Sequence, residues 1–236
     1  MNNQIPTRCI EEQGEHLPEG DFDVVELINY FIIKELQRPW KAKPRPYYPS
    51  SFGDGRCKRS LYLHRTGADA EKKHPIKDML LFACGDAYHE VLQRIMKDHQ
   101  GIQIEESVKI PDLDISGRCD GVFATEEWVL EIKSVGDSTF RSLIRPKSDH
   151  IYQAHCYMWG LDIPRAQILY VNRNDGSLRK FDVFFENEVW EKIVTEINEM
   201  DDRVANQDIP DFTENTYQCY GCKFKNVSCH PPEKKK

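Results

Sequence analysis

The sequence contains no run approaching the roughly 18 consecutive apolar residues that a bilayer-spanning helix needs, which argues against a helical membrane protein. Residues 1–20 are polar and acidic and lack the basic start and apolar stretch of a secretory signal. These absences lead to the expectation of a soluble, cytoplasmic (intracellular) protein with no membrane partner. No G-x4-G-K-[ST] phosphate loop is present, so no helicase motor of that type is encoded, and there is no internal repeat. An excess of positive charge is missing as well: the formal net charge is -7, which taken alone argues against a polyanionic partner.

What is present suffices for a core. With 236 residues, 39% of them hydrophobic, the chain can form one large domain or one domain with appendages. Residues 1–22 mix Pro, Gly and acidic residues without periodicity and read as a loose N-terminal segment. A helix is expected over 23–36, where Val24, Val25, Leu27, Ile28, Phe31 and Ile32 form an apolar stripe. Residues 40–55 read as a long loop and 56–65 as a second helix, so 23–77 forms a helical, basic N-terminal part. A long helix over 78–97 is followed by His99, Gln100 and Gly101 as its stop. The period then changes: 104–110, 115–124 and 128–133 predict a three-strand meander with a turn near Thr125 and Glu126. A helix over 150–161 and a strand over 166–172 come next. A hairpin partner over 178–185 follows across Asn174-Asp175-Gly176, and a helix runs from 186 to about 206. This order predicts an α/β core over 78–206, a mixed central sheet flanked by helices, with residues 207–236 forming a C-terminal cysteine cluster and tail.

The charge is unevenly spread. Between Lys34 and Arg65 nine basic residues, among them Arg56, Lys58 and Arg59, face two acidic ones, with Trp40, Tyr47, Tyr48 and Tyr62 interleaved. Such a stretch can track phosphates and stack bases. A solvated loop of ordinary mixed composition reads equally well.

The strongest local signal is Gly117-Arg118-Cys119-Asp120-Gly121-Val122, followed by Glu131-Ile132-Lys133. Alternate side chains of a strand share a face, so Glu131 and Lys133 project together and Ile132 points away. If the preceding strand folds back, Asp120 arrives beside Glu131. Two carboxylates suit a hard cation such as magnesium or manganese, and a nearby ammonium can orient water and offset phosphate charge. The pattern is short, and a solvent-facing strand of alternating charges also produces it. His89, in Gly85-Asp86-Ala87-Tyr88-His89, offers an imidazole on the long helix. Gln153 and Tyr157 lie four apart, on one face of a later helix. Taken singly, a half-buried histidine and an ordinary helix surface are the plainer readings.

Eight cysteines in an apparently intracellular chain point to metal binding or core packing rather than disulfides. Cys219-x2-Cys222-x6-Cys229 groups three thiols near the C-terminus, and Cys57 is the best candidate for a fourth ligand. Four thiolates suit a 4Fe-4S cluster or a structural zinc ion, the latter more often with paired C-x2-C knuckles; His64 or His230 as a ligand would favour zinc. Cys9, Cys84, Cys119 and Cys156 read as core or incidental residues.

In combination and in this order, these motifs resemble the RecB-like branch of the PD-(D/E)XK nuclease superfamily over about residues 57–229, and the cysteine pattern resembles its CRISPR-associated iron-sulfur exonuclease family. The resemblance implies a restriction-endonuclease-like core whose N- and C-terminal segments are joined by a 4Fe-4S cluster on Cys57, Cys219, Cys222 and Cys229. It implies a Mg2+ or Mn2+ ion on His89, Asp120, Glu131 and the Ile132 carbonyl. Lys133 would assist the attacking water, and Gln153 and Tyr157 would position the strand. The superfamily's literal Pro-Asp is absent, since Cys119 precedes Asp120; Pro111-Asp112 and Pro210-Asp211 are decoys. The implied activity is DNA exonuclease action on single strands or DNA ends, in recombination, repair or phage DNA processing. Recombination or CRISPR proteins, or further copies of the chain, would be partners. A non-catalytic iron-sulfur DNA-binding module and an iron-sulfur redox protein are the alternatives.

Overall fold

The computed structural model describes residues 24–36, 41–71, 76–97, 102–123 and 127–231. The expected loose start, Cys9, Arg38, Trp40, the helix stop at 99–101, the turn at 125–126 and the lysine-rich tail lie outside these residues. Elements follow in the order α1 (Val24–Leu36), α2 (Lys58–Arg65), α3 (Ile76–Lys97), β1 (Ile102–Ile104), β2 (Ser107–Ile110), β3 (Ile115–Arg118), β4 (Gly121–Phe123) and β5 (Trp128–Val135). They continue with α4 (Asp137–Ser142), α5 (Ser148–Leu161), β6 (Arg165–Asn172), β7 (Leu178–Phe184) and α6 (Asn187–Ala205). The central sheet has the order β1-β4-β5-β6-β7 and is mixed: β5 and β6 are parallel, the other pairs antiparallel.

Parallel neighbours cannot be joined by a tight turn, so the chain crosses over from β5 to β6 through α4 and α5. The short helix α4 has no counterpart among the expected elements, because six residues carry too little periodicity to read. The expected meander is present with a break. Pairs β1–β4 and β2–β3 share one register, from Ile102↔Phe123 to Ile110↔Ile115, so they form one long hairpin. It is interrupted where Glu105 takes φ 56° and Cys119 and Asp120 leave the strands. The Glu105 N–H to Asp120 carbonyl bond and the Cys119 N–H to Glu106 carbonyl bond, 3.3 and 3.0 Å, hold the two sides together there.

One face of the sheet, through Leu130, Ile132 and Val171, packs on Tyr88 and Leu92 of α3. The other, through Val129, Val135, Ile168 and Tyr170, packs on Ala154, Tyr157 and Met158 of α5. Beyond α5 a further core joins Tyr47, Phe52, α2, α6 and Phe224. α5 therefore has apolar surroundings on both sides, and residues 152–158 are all buried. Its His155 is tolerated because both ring nitrogens are satisfied. Nδ1–H donates to the Ile151 carbonyl at 2.8 Å, Nε2 accepts the Glu186 N–H at 3.1 Å, and burial keeps the ring neutral by lowering its pKa. Gly160 lets the β2–β3 hairpin lie directly on α5, since a Cβ there would stand 2.4 Å from Val108.

The aromatic part of the basic stretch is corrected by the structure. Tyr47 is fully buried and Tyr62 nearly so, and their rings serve the core rather than a base-stacking surface. The 40–55 loop is accordingly pinned: Tyr47 bridges to Ile115, and its hydroxyl donates to Asp201 at 2.7 Å. Arg65 lies over the Tyr47 ring and pairs with Asp114 at 2.5 Å.

Candidate active site

Glu131 and Lys133 sit at the middle of β5 and face α5, while Ile132 is turned into the apolar layer under α3, as strand alternation requires. Glu131 is only 3% exposed. The Lys133 ammonium pairs with its Oε1 and also donates to Oε1 of Gln153 at 3.0 Å. Gln153 in turn donates through Nε2 to the Tyr157 hydroxyl at 2.9 Å, across one turn of α5. A continuous polar chain thus runs from Glu131 through Lys133 and Gln153 to Tyr157.

Asp120 enters from the break in the long hairpin. β4 pairs with β5 only as far as Gly121↔Leu130, which leaves the edge of β5 open at Ile132. Oδ2 of Asp120 takes that position and accepts the Ile132 N–H at 2.6 Å. A strand residue presents its N–H and C=O to the same side, so the Ile132 carbonyl opens toward the same edge. Oδ1 of Asp120 bonds His89 Nδ1 at 2.9 Å, and Gln93 Nε2 donates to the Asp120 carbonyl at 3.1 Å. The two sides of the sheet therefore meet at Asp120.

The electrostatics follow from this enclosure. Burial pushes the Glu131 carboxyl up to about 7, against the pull of Lys133 and with the help of the nearby Asp120 charge. His89 is partly buried, which disfavours its cation, yet the hydrogen bond and charge of Asp120, followed by Glu131, raise its pKa overall. Burial raises the Tyr157 phenol, so its hydroxyl stays protonated.

The motif side chains singled out in the sequence, His89, Asp120, Glu131, Lys133 and the Gln153–Tyr157 pair, thus form one connected neighbourhood. Among the described residues, no three His, Cys, Asp or Glu side chains are gathered as a ready-made metal site. The donor chemistry nonetheless suits a hard divalent ion: two carboxylates, an imidazole and an open strand carbonyl. Two further residues belong to the site without standing in any of its motifs. Gln93 lies four positions after His89, the helical spacing that points to it. His150 lies three before Gln153; its Nδ1 is 2.7 Å from the Tyr170 hydroxyl, and burial, followed by the Lys133 charge, brings its pKa down to about 4.

Arg56, Lys58 and Arg59 are engaged within the protein. Arg56 pairs with Asp149 at 2.7 Å and Lys58 with Glu199 at 3.2 Å. Arg59 donates to the Pro210 carbonyl at 2.8 Å and lies over the Phe212 ring. Cys57, which caps α2 by accepting the Ser60 N–H, is brought toward the C-terminal cysteines. Burial raises its pKa, and so do the charges of Cys222 and Cys219. Cys229 is raised by burial against the pull of Arg59, and it too senses Cys222 and Cys219. None of the four is in a disulfide. Hydrogen bonds fasten the same two segments: the Glu71 N–H donates to the Lys223 carbonyl at 2.9 Å, and the Ser228 hydroxyl to the Asp69 carbonyl at 2.6 Å.

No protein-family model and no curated protein matches the chain. Among solved structures, SSO0001 superposes with a TM-score of 0.51 at 15% identity, over 89% of this chain and 99% of its own. An alkaline exonuclease (LHK-Exo) from Laribacter hongkongensis gives 0.48 at 16% identity, over 64% of this chain and 78% of its own. A phage-related exonuclease from Haemophilus somnus 129PT gives 0.43 at 15% identity, over 53% and 71%. The likeness to SSO0001 is one of fold: a mixed central sheet flanked by helices. No helix among the described residues is long and apolar enough to cross a membrane.

Proposed function

We propose that this chain is a divalent-metal-dependent deoxyribonuclease of the PD-(D/E)XK class, an exonuclease acting on single strands or DNA ends. The observation that carries the reading is the linkage of Asp120, Glu131 and Lys133 at the open edge of β5, with His89 on one side of the sheet and Gln153 and Tyr157 on the other. A solvent-facing strand of alternating charges would not bury Glu131 or commit an aspartate to a backbone N–H of the neighbouring strand.

Asp120, Glu131, His89 and the Ile132 carbonyl would hold Mg2+ or Mn2+. When bound, the ion supplies Lewis-acid activation of water and neutralises charge on the phosphate. Hydrolysis adds water across the phosphodiester: the water oxygen bonds to phosphorus, the bond to the leaving sugar oxygen breaks, and that oxygen gains a proton. Lys133 Nζ has three N–H donors, two of them directed at Glu131 and Gln153, which leaves one for a water or a phosphate oxygen. Gln153, itself held by Tyr157, fixes where that ammonium points.

Cys57, Cys219, Cys222 and Cys229 would hold a 4Fe-4S cluster as a structural staple, with zinc as the rival ion. The support is chemical: four free thiols, of which Cys57 and Cys229 are each raised in pKa by burial and by Cys222 and Cys219.

The test is cleavage of end-labelled single- and double-stranded DNA by anaerobically purified protein with manganese or magnesium, beside Glu131→Ala and Lys133→Ala. Metal-dependent degradation lost in both variants is expected. An inactive wild type with its cysteine site loaded would overturn the catalytic reading.

A further inference from the structure

Strand β7 is an outer strand of the central sheet, and among the described residues no strand pairs with its far side. Which of its backbone groups face that side follows from the ladder with β6. The Asn172 N–H donates to the Ser177 carbonyl and the Phe185 N–H to the Pro164 carbonyl, both at 2.9 Å. These bonds flank the register that runs from Arg165↔Phe184 to Val171↔Leu178. Hydrogen-bonded and non-hydrogen-bonded pairs alternate along an antiparallel ladder, so the odd-numbered residues of β7 are the ones bonded to β6. Leu178, Lys180, Asp182 and Phe184 therefore turn their N–H and C=O groups outward. Such an edge invites another strand, and proteins usually blunt it with a proline, a bulge or an unopposed lysine. β7 keeps seven residues in unbroken register and contains no proline.

The order of side chains along β7 is complementary to its own reverse. Laid antiparallel on a second copy, Leu178-Arg179-Lys180-Phe181-Asp182-Val183-Phe184 sets Lys180 opposite Asp182 and Leu178 opposite Phe184, with Phe181 at the centre. Both of those pairs join residues whose backbone groups face outward. We infer that the edge of β7 is an interface with a second copy of this chain, which joins it about a two-fold axis at Phe181 and extends the two five-stranded sheets into one. Lys180 and Asp182 are already 2.9 Å apart within one strand, each about half exposed, so two copies close a ring of four alternating charges. Leu178 and Phe184, 55% and 65% exposed, cover one another across the axis. The charges also fix the register. A slip by one residue sets outward-bonding positions against inward-bonding ones. A slip by two restores the bonding but places lysine opposite lysine, or aspartate opposite aspartate, and like charges directly opposite are destabilising. Opposed side chains of an antiparallel pair share a face, so both copies turn α5, and the Glu131 and Lys133 side of β5, to the same side of the joined sheet.

The experiment is sedimentation velocity of the full chain over a wide range of concentrations, beside three variants. Wild type is expected to pass from the mass of one chain to that of two as concentration rises. Lys180→Glu and Asp182→Lys each set like charges opposite across the axis, and each should self-associate at least about tenfold more weakly. An equimolar mixture of these two variants should dimerise again, because a mixed pair has unlike charges at both positions, a recovery that a general loss of structure would not give. Lys180→Pro removes an outward N–H and leaves the ladder with β6 in place, so it should keep the wild-type circular dichroism and lose the dimer. Three results would each overturn the inference: a wild type with the mass of one chain at every concentration, a mixture that associates no better than its components, or wild-type dimerisation of Lys180→Pro.

Discussion

Oδ2 of Asp120 accepts the backbone N–H of Ile132 at 2.6 Å, at the place where β4 stops short and leaves the edge of β5 open. One carboxylate thereby closes a gap in the sheet and faces the candidate metal position. The two roles are separable by substitution. Asp120→Asn keeps a side-chain oxygen able to accept the N–H but loses the negative charge. Its stability in urea should stay within about 1 kcal/mol of wild type while cleavage disappears. Asp120→Ala leaves a buried N–H unsatisfied and should cost a further 1–3 kcal/mol, roughly. Equal stability of the two variants would remove the strand-closing role.

Glu131 yields a pH prediction with a definite sign. Burial pushes its carboxyl up to about 7 in the folded chain, above the 4.5 of an ordinary glutamate. Between those values the folded state binds more protons than the unfolded, so this group's contribution to stability falls as pH rises across the window and is level beyond it. Glu131→Gln mimics the protonated form. Urea unfolding in EDTA should show it close to wild type at pH 4.5 and more stable by roughly 1–3 kcal/mol at pH 8, although it is inactive. A variant less stable than wild type at pH 8 would mean that the Lys133 pair outweighs the desolvation of Glu131.

The parts of the fold with long, clean periodicity are legible in the amino-acid sequence. Helices α3, α5 and α6 and strands β5 and β6 lie within a few residues of where the apolar pattern puts them. Asp120, Glu131 and Lys133 are legible because strand alternation fixes which side chains share a face. The hairpin break is not, since it depends on one residue, Glu105, adopting a positive φ, and nothing in its neighbours forces that. Tyr47 and Tyr62 mislead because an aromatic ring flanked by arginines suits a nucleic-acid surface and a core equally well. Only the tertiary packing of α2 against α6 decides between them. The pairing of Arg56 with Asp149 is beyond reach for the same reason, as its partner lies 93 residues away.

On the proposed reading, Gln153 would act on the reaction through Lys133, whose ammonium donates to it. Gln153→Ala removes the acceptor that holds the ammonium, and a loss of about 10- to 100-fold in kcat with little change in KM is expected, the usual scale for a group that orients an active-site residue. Tyr157→Phe leaves Gln153 Nε2 without its acceptor and should show a smaller loss of the same kind. A rise in KM alone, in either variant, would assign these residues to substrate binding instead.

The cysteines make the last prediction, and the chemistry of the site allows two outcomes to be told apart. Anaerobically purified protein should contain iron and acid-labile sulfide in equal amounts, with a visible charge-transfer absorption that disappears on exposure to oxygen or in Cys222→Ser. Colourless protein carrying zinc would replace the cluster with a closed tetrahedral site but keep the staple. In both cases the ligands would tie residues 57–71 to 219–229, which hydrogen bonds between Glu71 and Lys223 and between Ser228 and Asp69 already join, so metal loss should loosen both segments together. Limited proteolysis of metal-free protein should therefore cut near Gly67 and near Gly221 at similar rates, while the sheet and α5 stay protected. Cutting at the C-terminal segment alone would show that Cys57 is not a ligand, since its segment would then be held by the packing of Leu61, Tyr62 and Leu63 against α6 without help from the metal.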